Sequence, residues 1–530
     1  MRAGEPRTRD RPMNDRSTTS IWHKSAGVPS YPKLARDIRV DACIIGAGIA
    51  GLSVAYNLAK AGKSVAVLDD GPIGGGESGN TTAHLASAMD DGIAVLEEVH
   101  GQEKARKIVE SHHAAINWIE RTAKLENIDC DFSRLDGWLF LGGSDDVSVL
   151  QKELAAAKRC GLSGAELLDR APIANVETGP AIRFPEQGQF HVLKYLSGLC
   201  RAIGENGGDI FCDTKVESIE GGSPCMVRTS DKRLITADAV IVCTNGSISD
   251  MYKTHATQAP MRSYAVAFVV PRGSVTPALF WDTADPYHYV RLQPIDAAGV
   301  APTKGDVLMD ALIVGGEDHR TGKADDGDVR WQHLIEWARA RWPQAQEVLA
   351  RWSGQVLEPN DSIAFIGRNP DGAQNVYMAS GDSGQGMTHG TIAGTLISDI
   401  ILGRKNELEA IYDPRRVTVG VRAAEEFVSN NVDVAVSMVK DWLNPLSPGE
   451  DDIPRGHGRV VRKGMHRVAA YRDENGTLHE KSAVCTHLKC IVAWNSTEKS
   501  WDCPCHGSRF DAYGKVLNGP AVEDLGDAPA

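Results

Sequence analysis

The segment at residues 39–69 constrains the fold more than any other part of the chain. An apolar strand pattern runs into a G-x-G-x-x-G turn, a helical pattern follows, and a second apolar strand ends at Asp69. In this context Gly46 permits the tight turn, Gly48 lets a pyrophosphate approach the backbone, and Gly51 lets the helix pack closely on the strand. We expect the helix N-terminus to face the phosphates and Asp69 to bind the ribose hydroxyls. The segment predicts a Rossmann-like α/β domain that binds a dinucleotide.

The next stretch, residues 74–84, resembles the second flavin loop of the family of D-amino-acid oxidase, glycine oxidase and sarcosine oxidase. Its glycines and small hydroxyl residues would let the backbone pass along the diphosphate of FAD. The resemblance implies that the dinucleotide is FAD rather than NAD. It also implies that Ser78, Thr81, Thr82 and His84 contact the cofactor.

Two interpretations of His84 stay open. The related dimethylglycine dehydrogenases carry a Thr-x-His segment at this place, and their histidine is bonded covalently to the flavin. This chain has Thr82, Ala83 and His84 in the same order. The alternative is a packed histidine that forms no bond with the cofactor.

Later segments extend the resemblance to the rest of the FAD site. Val216 matches the family valine whose backbone clamps the adenine, while Thr244 and Asn245 follow an apolar strand beside the pyrophosphate. At residues 376–390 a strand, a glycine-rich turn and a helix would place backbone amides at the flavin pyrimidine, where the helix dipole stabilises negative charge. The predicted cofactor contacts in that segment are Gly381, Gly384, Gly386, Met387 and Thr388. Monomeric sarcosine oxidase has a lysine for the substrate carboxylate where this chain has Thr388, which argues against a sarcosine-like acid.

Residues 260–320 alternate apolar and polar side chains, a pattern typical of strands. We expect an antiparallel sheet that covers one face of the flavin ring. Its candidate pocket walls are Tyr264, Tyr287, His288, Tyr289 and Arg291, and the candidate catalytic residues among them are Tyr264, Tyr289 and Arg291. Because strand side chains alternate, Tyr287, Tyr289 and Arg291 share one face and His288 points to the other. An arginine of the matching region binds the substrate carboxylate in the amino-acid oxidases; a surface arginine stacked on tyrosines is the alternative for Arg291.

A second chemistry is written near the C-terminus. Cys485 and His487 form a Cys-x-His pair, and Cys503 and His506 form a Cys-x-x-His pair fifteen residues further on. Two thiolates and two imidazoles are the ligand set of a Rieske [2Fe–2S] cluster, in which two histidines replace two cysteines on one iron. A Cys₂His₂ zinc site is the rival, but zinc fingers usually open with a Cys-x-x-Cys pair and close with two histidines. One cysteine and one histidine in each half suit two metal ions better than one.

From about residue 455 the chain resembles the Rieske ferredoxin family. The resemblance implies that Cys485 and Cys503 bind one iron, and that His487 and His506 bind the redox-active one. In the Rieske proteins of cytochrome bc-type complexes the equivalents of Cys490 and Cys505 form a disulfide; two reduced thiols are the alternative, since cytosolic disulfides are rare.

Two neighbouring residues bear on the potential of the cluster. Ser508 stands where the bc-type family has a hydroxyl that donates to a bridging sulfide. Phe510 replaces the family tyrosine that donates to a cysteine sulfur. Because donors to sulfur favour the reduced cluster, we expect a potential below that of the respiratory complexes.

The bulk composition limits the partners and the location. The net charge of −13 argues against nucleic acid, because phosphate binding needs clustered basic residues. No run of eighteen apolar residues occurs, so no membrane span is expected. The N-terminus lacks the apolar core of a secretory signal. Seven of the eleven cysteines are scattered before residue 244 in apolar surroundings, as in a cytoplasmic protein with reduced thiols.

The predicted architecture is an α/β (α+β) flavoprotein of two parts with a small all-β Rieske domain at its end. The expected boundaries are a partly disordered tail at 1–37, an FAD-dependent oxidoreductase domain at 38–405, a helix and linker at 406–454, and the Rieske domain at 455–530. Within 38–405, the FAD part takes about 38–95, 205–255 and 355–405, and the substrate part takes about 96–204 and 256–354. A helix at 421–443 is predicted to brace the two domains, with a turn-rich linker at 445–454.

The function that the sequence favours is a dehydrogenase of an amine or amino-acid C–N bond. FAD would take two electrons, and the Rieske cluster would pass them singly to an external acceptor, a protein or a quinone, through an exposed edge of His487 and His506. One rival is a reductase or monooxygenase in which the cluster feeds the flavin. A second rival is an electron carrier or redox sensor without catalysis.

Overall fold

The computed structural model describes residues 18–143, 145–174, 176–248, 254–295, 309–417, 428–430, 432 and 452–528. The predicted brace helix at 421–443 and the linker at 445–454 lie outside these residues, apart from 428–430, 432 and 452–454. Most of the predicted tail also lies outside them. The described end of the tail is packed, because Trp22 is fully buried and its Nε1 donates to the carbonyl oxygen of Thr81 at 2.5 Å.

Nine helices are described, and they lie almost entirely in the first 412 residues. They are α1 (Ile21–Ser25), α2 (Ile49–Lys60), α3 (Ile93–His100), α4 (Gln102–Leu125), α5 (Val147–Arg159), α6 (Val192–Glu205), α7 (Gly327–Arg341), α8 (Gly386–Ile401) and α9 (Glu409–Tyr412).

The described strands form four sheets. In chain order they are β1 (Ile38–Ile45), β2 (Val65–Leu68), β3 (His84–Leu85), β4 (Ser133–Phe140), β5 (Glu166–Leu168), β6 (Ala181–Gln189), β7 (Asp209–Phe211), β8 (Val216–Glu220), β9 (Cys225–Thr229), β10 (Leu234–Val242), β11 (Gln258–Pro271), β12 (Leu279–Asp282), β13 (His288–Ile295), β14 (Met309–Arg320), β15 (Glu347–Pro359), β16 (Phe365–Arg368), β17 (Val376–Ser380), β18 (His457–Lys463), β19 (His466–Arg472), β20 (Leu478–Ser482), β21 (Ala493–Asn495), β22 (Ser500–Asp502), β23 (Arg509–Asp511) and β24 (Val516–Asn518).

The first sheet is the predicted parallel sheet. Its order is β16-β17-β10-β1-β2-β7, with parallel pairing from β17 through to β7 and with β8 and β9 attached as an antiparallel extension of β10. The strands β1, β2, β10 and β17 are apolar and buried, as expected for a sheet covered on both faces. Because the carboxyl ends of parallel strands share one edge, the turns after these four strands meet there.

The second sheet is the predicted antiparallel sheet. Its order is β15-β11-β14-β13-β12-β4-β6-β3, with one parallel pair, β12 and β4. The helix α7 packs on β11 and β14 and buries Trp331 and Leu334 against an apolar cluster. The opposite face of β11 and β15 is turned toward the carboxyl edge of the parallel sheet.

The C-terminal part is all β, as predicted. Strands β18–β20 form one antiparallel sheet and β21–β24 form another. This domain docks on the rest of the chain through polar contacts: the backbone amide of Ser496 donates to Asp325 at 2.7 Å, and Asn518 Nδ2 donates to Glu77 Oε1 at 3.0 Å. In the described part of the chain, no helix is both long enough and apolar enough to cross a membrane.

Candidate functional site

A cavity of about 750 Å³ lies between the carboxyl edge of the parallel sheet and the antiparallel sheet. Cofactor and ligand sites usually enclose about 300–1,000 Å³. The turn after β1 forms one end, where Gly46 has φ 105°. A Cβ on Gly46 would lie 2.3 Å from the carbonyl oxygen of Cys243, and one on Gly48 would lie 2.9 Å from Ser78 Oγ. The turn therefore has the close backbone approach and the free helix N-terminus that a pyrophosphate needs, so the site fits FAD.

Asp69 lines the same end of the cavity at the close of β2. Its carboxylate accepts hydrogen bonds from the backbone amides of Ala47 at 2.6 Å and Gly71 at 2.8 Å. Burial raises the pKa of Asp69 to about 6. The residue thus braces the glycine turn, in addition to its predicted place beside the ribose.

Most of the predicted cofactor contacts line this cavity. They are Gly46, Gly48, Asp69, Ser78, Thr81, Thr82, His84, Val216, Thr244, Asn245, Gly381, Gly384, Gly386 and Met387. Two predicted contacts do not. Gly51 faces the turn, where a Cβ would lie 1.9 Å from the carbonyl oxygen of Gly46. Thr388 is buried in α8, and its hydroxyl meets His112 Nδ1 at 2.8 Å and donates to the carbonyl oxygen of Gln385 at 3.1 Å.

His84 stands in the cavity wall next to the antiparallel sheet. Its Nδ1 lies 3.1 Å from Thr82 Oγ1, and its ring meets the Tyr289 ring edge-on with centroids 5.5 Å apart. Burial lowers the pKa of His84 to about 3, so the ring is neutral. A neutral imidazole at this place fits either of the two interpretations of His84.

The predicted substrate role of Arg291 needs correction. Its side chain shares a strand face with Tyr289, as the alternation predicts, but it lies outside the cavity lining. The guanidinium donates to the carbonyl oxygens of Thr82 at 3.2 Å, Ala83 at 2.7 Å and Phe190 at 3.0 Å. These contacts occupy its donors on protein carbonyls, so Arg291 holds the 82–84 loop from behind and is not placed to bind a substrate carboxylate.

The two candidate tyrosines both line the cavity. The Tyr289 hydroxyl lies 2.8 Å from Ser263 Oγ, and the Tyr264 hydroxyl lies 3.0 Å from His319 Nε2. Tyr287 lines the cavity as well, whereas His288 points away and bonds Asp282. The tyrosines therefore build the wall that the alternating pattern predicts.

Carboxylates that the sequence analysis did not single out also line this end of the cavity, namely Asp90, Asp318, Glu358 and Asp382. Asp90 accepts hydrogen bonds from Tyr287 at 3.1 Å and from Gln385 Nε2 at 2.7 Å. Burial is the main cause of raised pKa values here, to about 7 for Asp90 and about 6 for Asp318. The pKa of Glu358 is raised further, by burial and by the neighbouring acids. For Glu358, the alternation of β15 was the available signal.

The predicted cluster ligands converge in the C-terminal domain. Cys485 and Cys503 are buried in one apolar cluster. A hydrogen bond from the Cys503 thiol, with the backbone amide of His487 and the Ser508 hydroxyl, lowers the pKa of Cys485 to about 7, while burial opposes the shift. The site therefore favours a thiolate, which is the form that binds iron.

The two predicted histidine ligands lie side by side. The rings of His487 and His506 are nearly perpendicular, with centroids 5.2 Å apart. His506 Nδ1 is buried and has no hydrogen-bond partner among the residues that the structure describes. An orphaned imidazole nitrogen beside two thiols fits a [2Fe–2S] cluster held by two cysteines and two histidines.

The disulfide implied by the resemblance is present, since Cys490 and Cys505 are bonded to each other. These two sulfurs lie close to Cys503 Sγ, but their bond removes them as metal ligands. The bridge ties together the two loops that carry the four predicted ligands.

The histidine edge is less open than predicted. Both rings are half-buried, and His255 of the flavoprotein part packs against them, with centroids 5.3 Å from His487 and 6.3 Å from His506. This side of the cluster site therefore faces the FAD-binding part of the chain.

The two sites share a wall. Residues 516–519, 521 and 522 of the C-terminal domain line the FAD cavity together with Gln355 of β15. Gln355 Nε2 donates to the carbonyl oxygen of Gly507 at 3.0 Å, directly after the predicted ligand His506. One side chain thus contacts both the cavity and the cluster loop.

Comparison with known proteins identifies both parts of the chain. The family described as FAD dependent oxidoreductase (DAO) matches residues 41–400, which is more than half of the chain. The chain belongs to this family. The Rieske [2Fe-2S] domain family matches residues 447–529 of this DAO oxidoreductase. FAD and a Rieske cluster are therefore its cofactors.

Three relatives show how far the similarity extends. A Rieske 2Fe-2S iron-sulfur protein of Bacillus subtilis (strain 168), YhfW, is 30% identical over 507 residues, covering 96% of each chain. γ-Glutamylputrescine oxidoreductase of Escherichia coli (strain K12) is 27% identical over 401 residues, covering 74% of this chain and 91% of the relative. The crystal structure of glycine oxidase from Geobacillus kaustophilus has 17% identity and a TM-score of 0.59, covering 72% of this chain and all of that one.

Proposed function

We propose that this DAO oxidoreductase oxidises the C–N bond of an amine or amino acid and passes the electrons one at a time through its Rieske cluster to an external acceptor. The observation that carries the proposal is the wall shared by the two sites. Gln355 lines the FAD cavity and bonds the loop that follows the cluster ligand His506. A two-electron site and a one-electron site in such contact suit a dehydrogenase with a built-in one-electron exit.

The kind of bond follows from the relatives. Their names refer to glycine and to γ-glutamylputrescine, and both are amino compounds. In the reaction an amine R–CH₂–NH₂ loses a hydride from carbon and a proton from nitrogen and becomes the imine R–CH=NH. When bound, FAD supplies the hydride acceptor and the cluster supplies a carrier for single electrons.

The residues of the chain supply the cavity in which this happens. The glycine turn at 46–51 and the loop at 82–84 would hold the cofactor, with Arg291 fixing the loop from behind. Tyr289 and Tyr264 would position the substrate against the flavin, each with its hydroxyl fixed by a polar partner. Buried carboxylates with raised pKa values, Asp90 and Asp318, would take the proton that leaves the substrate nitrogen.

The acceptor and the location stay predictions. An external protein or quinone would receive the electrons from the cluster, and the protein would work in the cytoplasm. Because His255 covers part of the histidine edge, we place the exit of the electrons on another side of the C-terminal domain.

Anaerobic mixing of the holoprotein with a panel of amines and amino acids tests the proposal. We expect the flavin absorbance to bleach first and the electron paramagnetic resonance signal of the reduced Rieske cluster to follow. Bleaching only with a reduced ferredoxin or an NAD(P)H-dependent reductase would instead show that electrons run from the cluster to the flavin. A protein that responds to no small molecule would be an electron carrier or sensor.

A further inference from the structure

We infer that the substrate of this oxidoreductase is a cationic amine that carries a second positive group and no carboxylate, held by Asp318 and Glu358. This inference rests on the proposed function and names the substrate class of the same cavity. It differs from the amino-acid substrate that the resemblance to the oxidases implies. Register, an unpartnered oxygen, the charge of the wall and the position of Arg291 support it.

The register of the antiparallel sheet brings the two carboxylates to one face. Glu358 of β15 lies opposite Ala259 of β11, and Asp318 of β14 lies in the irregular stretch opposite Ser263 of β11. Both acids therefore flank β11. Both also line the cavity, as Ser263 does. A ligand lying along β11 in this cavity would meet both of them.

One of these carboxylates has unused capacity. Asp318 Oδ1 is buried and has no hydrogen-bond partner among the described residues. A buried acceptor without a donor costs about 1–3 kcal/mol, and more when it is charged. An ammonium group in the cavity would supply the missing donor, since it offers three N–H groups.

The charge of the wall points the same way. Within the described part of the chain, nine acidic residues and one lysine line the cavity, and no arginine does. The lysine is Lys215, next to Val216 and therefore at the end assigned to the adenine. His84 and His389 also line the cavity, and burial holds the pKa of both low, at about 3 and about 4. A cation is attracted to such a wall, whereas the carboxylate of an amino acid is repelled.

The group that would bind a substrate carboxylate is engaged elsewhere. The guanidinium of Arg291 donates to the carbonyl oxygens of Thr82, Ala83 and Phe190 and to Gln293 Oε1 at 2.6 Å. Thr388, which stands in place of a substrate-binding lysine, is bonded to His112 and Gln385 and does not line the cavity. The described wall thus has partners for ammonium groups but none for a carboxylate.

Three probes of equal chain length test the inference on the holoprotein: 1,4-diaminobutane, butylamine and 4-aminobutanoate. Dissociation constants are measured anaerobically from the substrate dependence of flavin bleaching and, for unreactive probes, from perturbation of the flavin spectrum. We expect 1,4-diaminobutane to bind about tenfold or more tightly than butylamine, since a hydrogen bond to a charged group contributes about 1.5–3 kcal/mol. We expect 4-aminobutanoate to bind more weakly than butylamine.

Two isosteric variants assign the effect to the two carboxylates. Asp318→Asn and Glu358→Gln should each weaken 1,4-diaminobutane about tenfold and should change butylamine by less. Asp328→Asn is the matched control, because Asp328 is an exposed carboxylate that bonds Arg351 outside the cavity. If one variant does not fold, the other carries the test.

The outcomes separate this inference from the proposed function. If α-amino acids bleach the flavin and bind more tightly than 1,4-diaminobutane, the dehydrogenase stands and the cationic substrate class is wrong. Equal binding of all three probes, or no effect of either variant, also overturns the inference. If no amine or amino acid bleaches the flavin while 1,4-diaminobutane still perturbs its spectrum, the proposed function fails and the cation site stands.

Discussion

The side-chain amide of Gln355 donates a hydrogen bond to the carbonyl oxygen of Gly507 over 3.0 Å, across the boundary between the flavoprotein part and the Rieske domain. Gln355 also lines the FAD cavity, and Gly507 follows the cluster ligand His506. The approach is close, because a Cβ on Gly507 would lie 2.2 Å from Gln355 Nε2. This contact fixes the position of the cluster loop relative to the cavity in which the flavin binds.

Replacing Gln355 with leucine should slow electron passage more than substrate oxidation. The substitution keeps the bulk of the side chain but leaves the Gly507 carbonyl without this donor, at a cost of about 1–3 kcal/mol. In anaerobic stopped-flow experiments we expect the phase of cluster reduction to slow relative to the phase of flavin bleaching. Gln344→Leu is the control, because Gln344 Nε2 also donates to a backbone carbonyl, that of Ser274 at 2.9 Å, on an exposed surface. Equal slowing of both phases would show that Gln355 acts on the substrate and not on the cluster.

Arg291→Ala should lower both the stability of the protein and its retention of FAD. The variant leaves the carbonyl oxygens of Thr82, Ala83 and Phe190 without their buried donor, so we expect a loss of at least about 2 kcal/mol in the free energy of unfolding. The loop at 82–84 should also become less well fixed, because Ala83 holds a positive φ of 59°. Thermal unfolding and the flavin content after dialysis measure the two effects.

Arg339→Ala is the control for that experiment, since Arg339 also donates to two backbone carbonyls but at the surface. Unchanged flavin retention together with a KM raised for amino acids alone would contradict the assignment. Arg291 would then be a ligand of a substrate carboxylate.

Removing the disulfide with Cys490→Ser and Cys505→Ser should destabilise the Rieske domain without removing a cluster ligand. The bridge closes a loop with a sequence separation of 15, and cross-linking a loop of about this length contributes about 3 kcal/mol. We expect iron to be lost at a lower denaturant concentration than in the unaltered protein. Dithiothreitol should lower the midpoint of the unaltered protein and leave that of the variant unchanged. Loss of iron already in the native variant would mean that these cysteines help to hold the cluster directly.

Much of the fold was predictable because its patterns are local. The strand, glycine turn, helix and acid at 39–69 lie within one short stretch, and the parallel sheet forms around them as expected. The Rieske ligands likewise occur as two short pairs, and the fold brings Cys485 and Cys503 together. By contrast, the packing of Trp22 beneath the flavin loop depends on a contact with a residue 59 positions away, for which the local pattern carries no signal.

The substrate end of the site was less predictable because its residues meet only through sheet register and domain docking. Period two assigned Arg291 to the face of Tyr289, but whether its guanidinium reaches a ligand or a carbonyl depends on the distant loop at 82–84. Asp318 and Glu358 lie 40 positions apart and become neighbours of one cavity only when β14 and β15 pair with β11. The bond between Gln355 and Gly507 depends on how two domains dock, which no local pattern reports.

Phe510→Tyr should raise the reduction potential of the Rieske cluster. Phe510 is fully buried in the same apolar cluster as Cys485 and Cys503, so a hydroxyl added there can donate to a cysteine sulfur and stabilise the reduced cluster. A redox titration followed by visible circular dichroism measures the shift. Phe268→Tyr, a buried change in a different apolar cluster, is the control and should leave the potential unchanged. An unchanged or lowered potential in Phe510→Tyr would show that this position does not donate to the cluster.

The binding of 1,4-diaminobutane should weaken as the pH falls, because the carboxylates that attract it become neutral. Burial raises the pKa of Asp318 to about 6 and that of Asp90 to about 7, and Asp91, Glu358 and Asp382 face them as further acids. Each carboxylate is charged above its pKa and neutral below it, while the diamine stays protonated throughout, as amines with a pKa near 10 do. For one required group of pKa about 6, the dissociation constant should rise about tenfold between about pH 8 and about pH 5. Asp318→Asn should bind weakly at all pH values and lose this part of the dependence, whereas a flat profile in the unaltered protein would show that these carboxylates do not bind the cation.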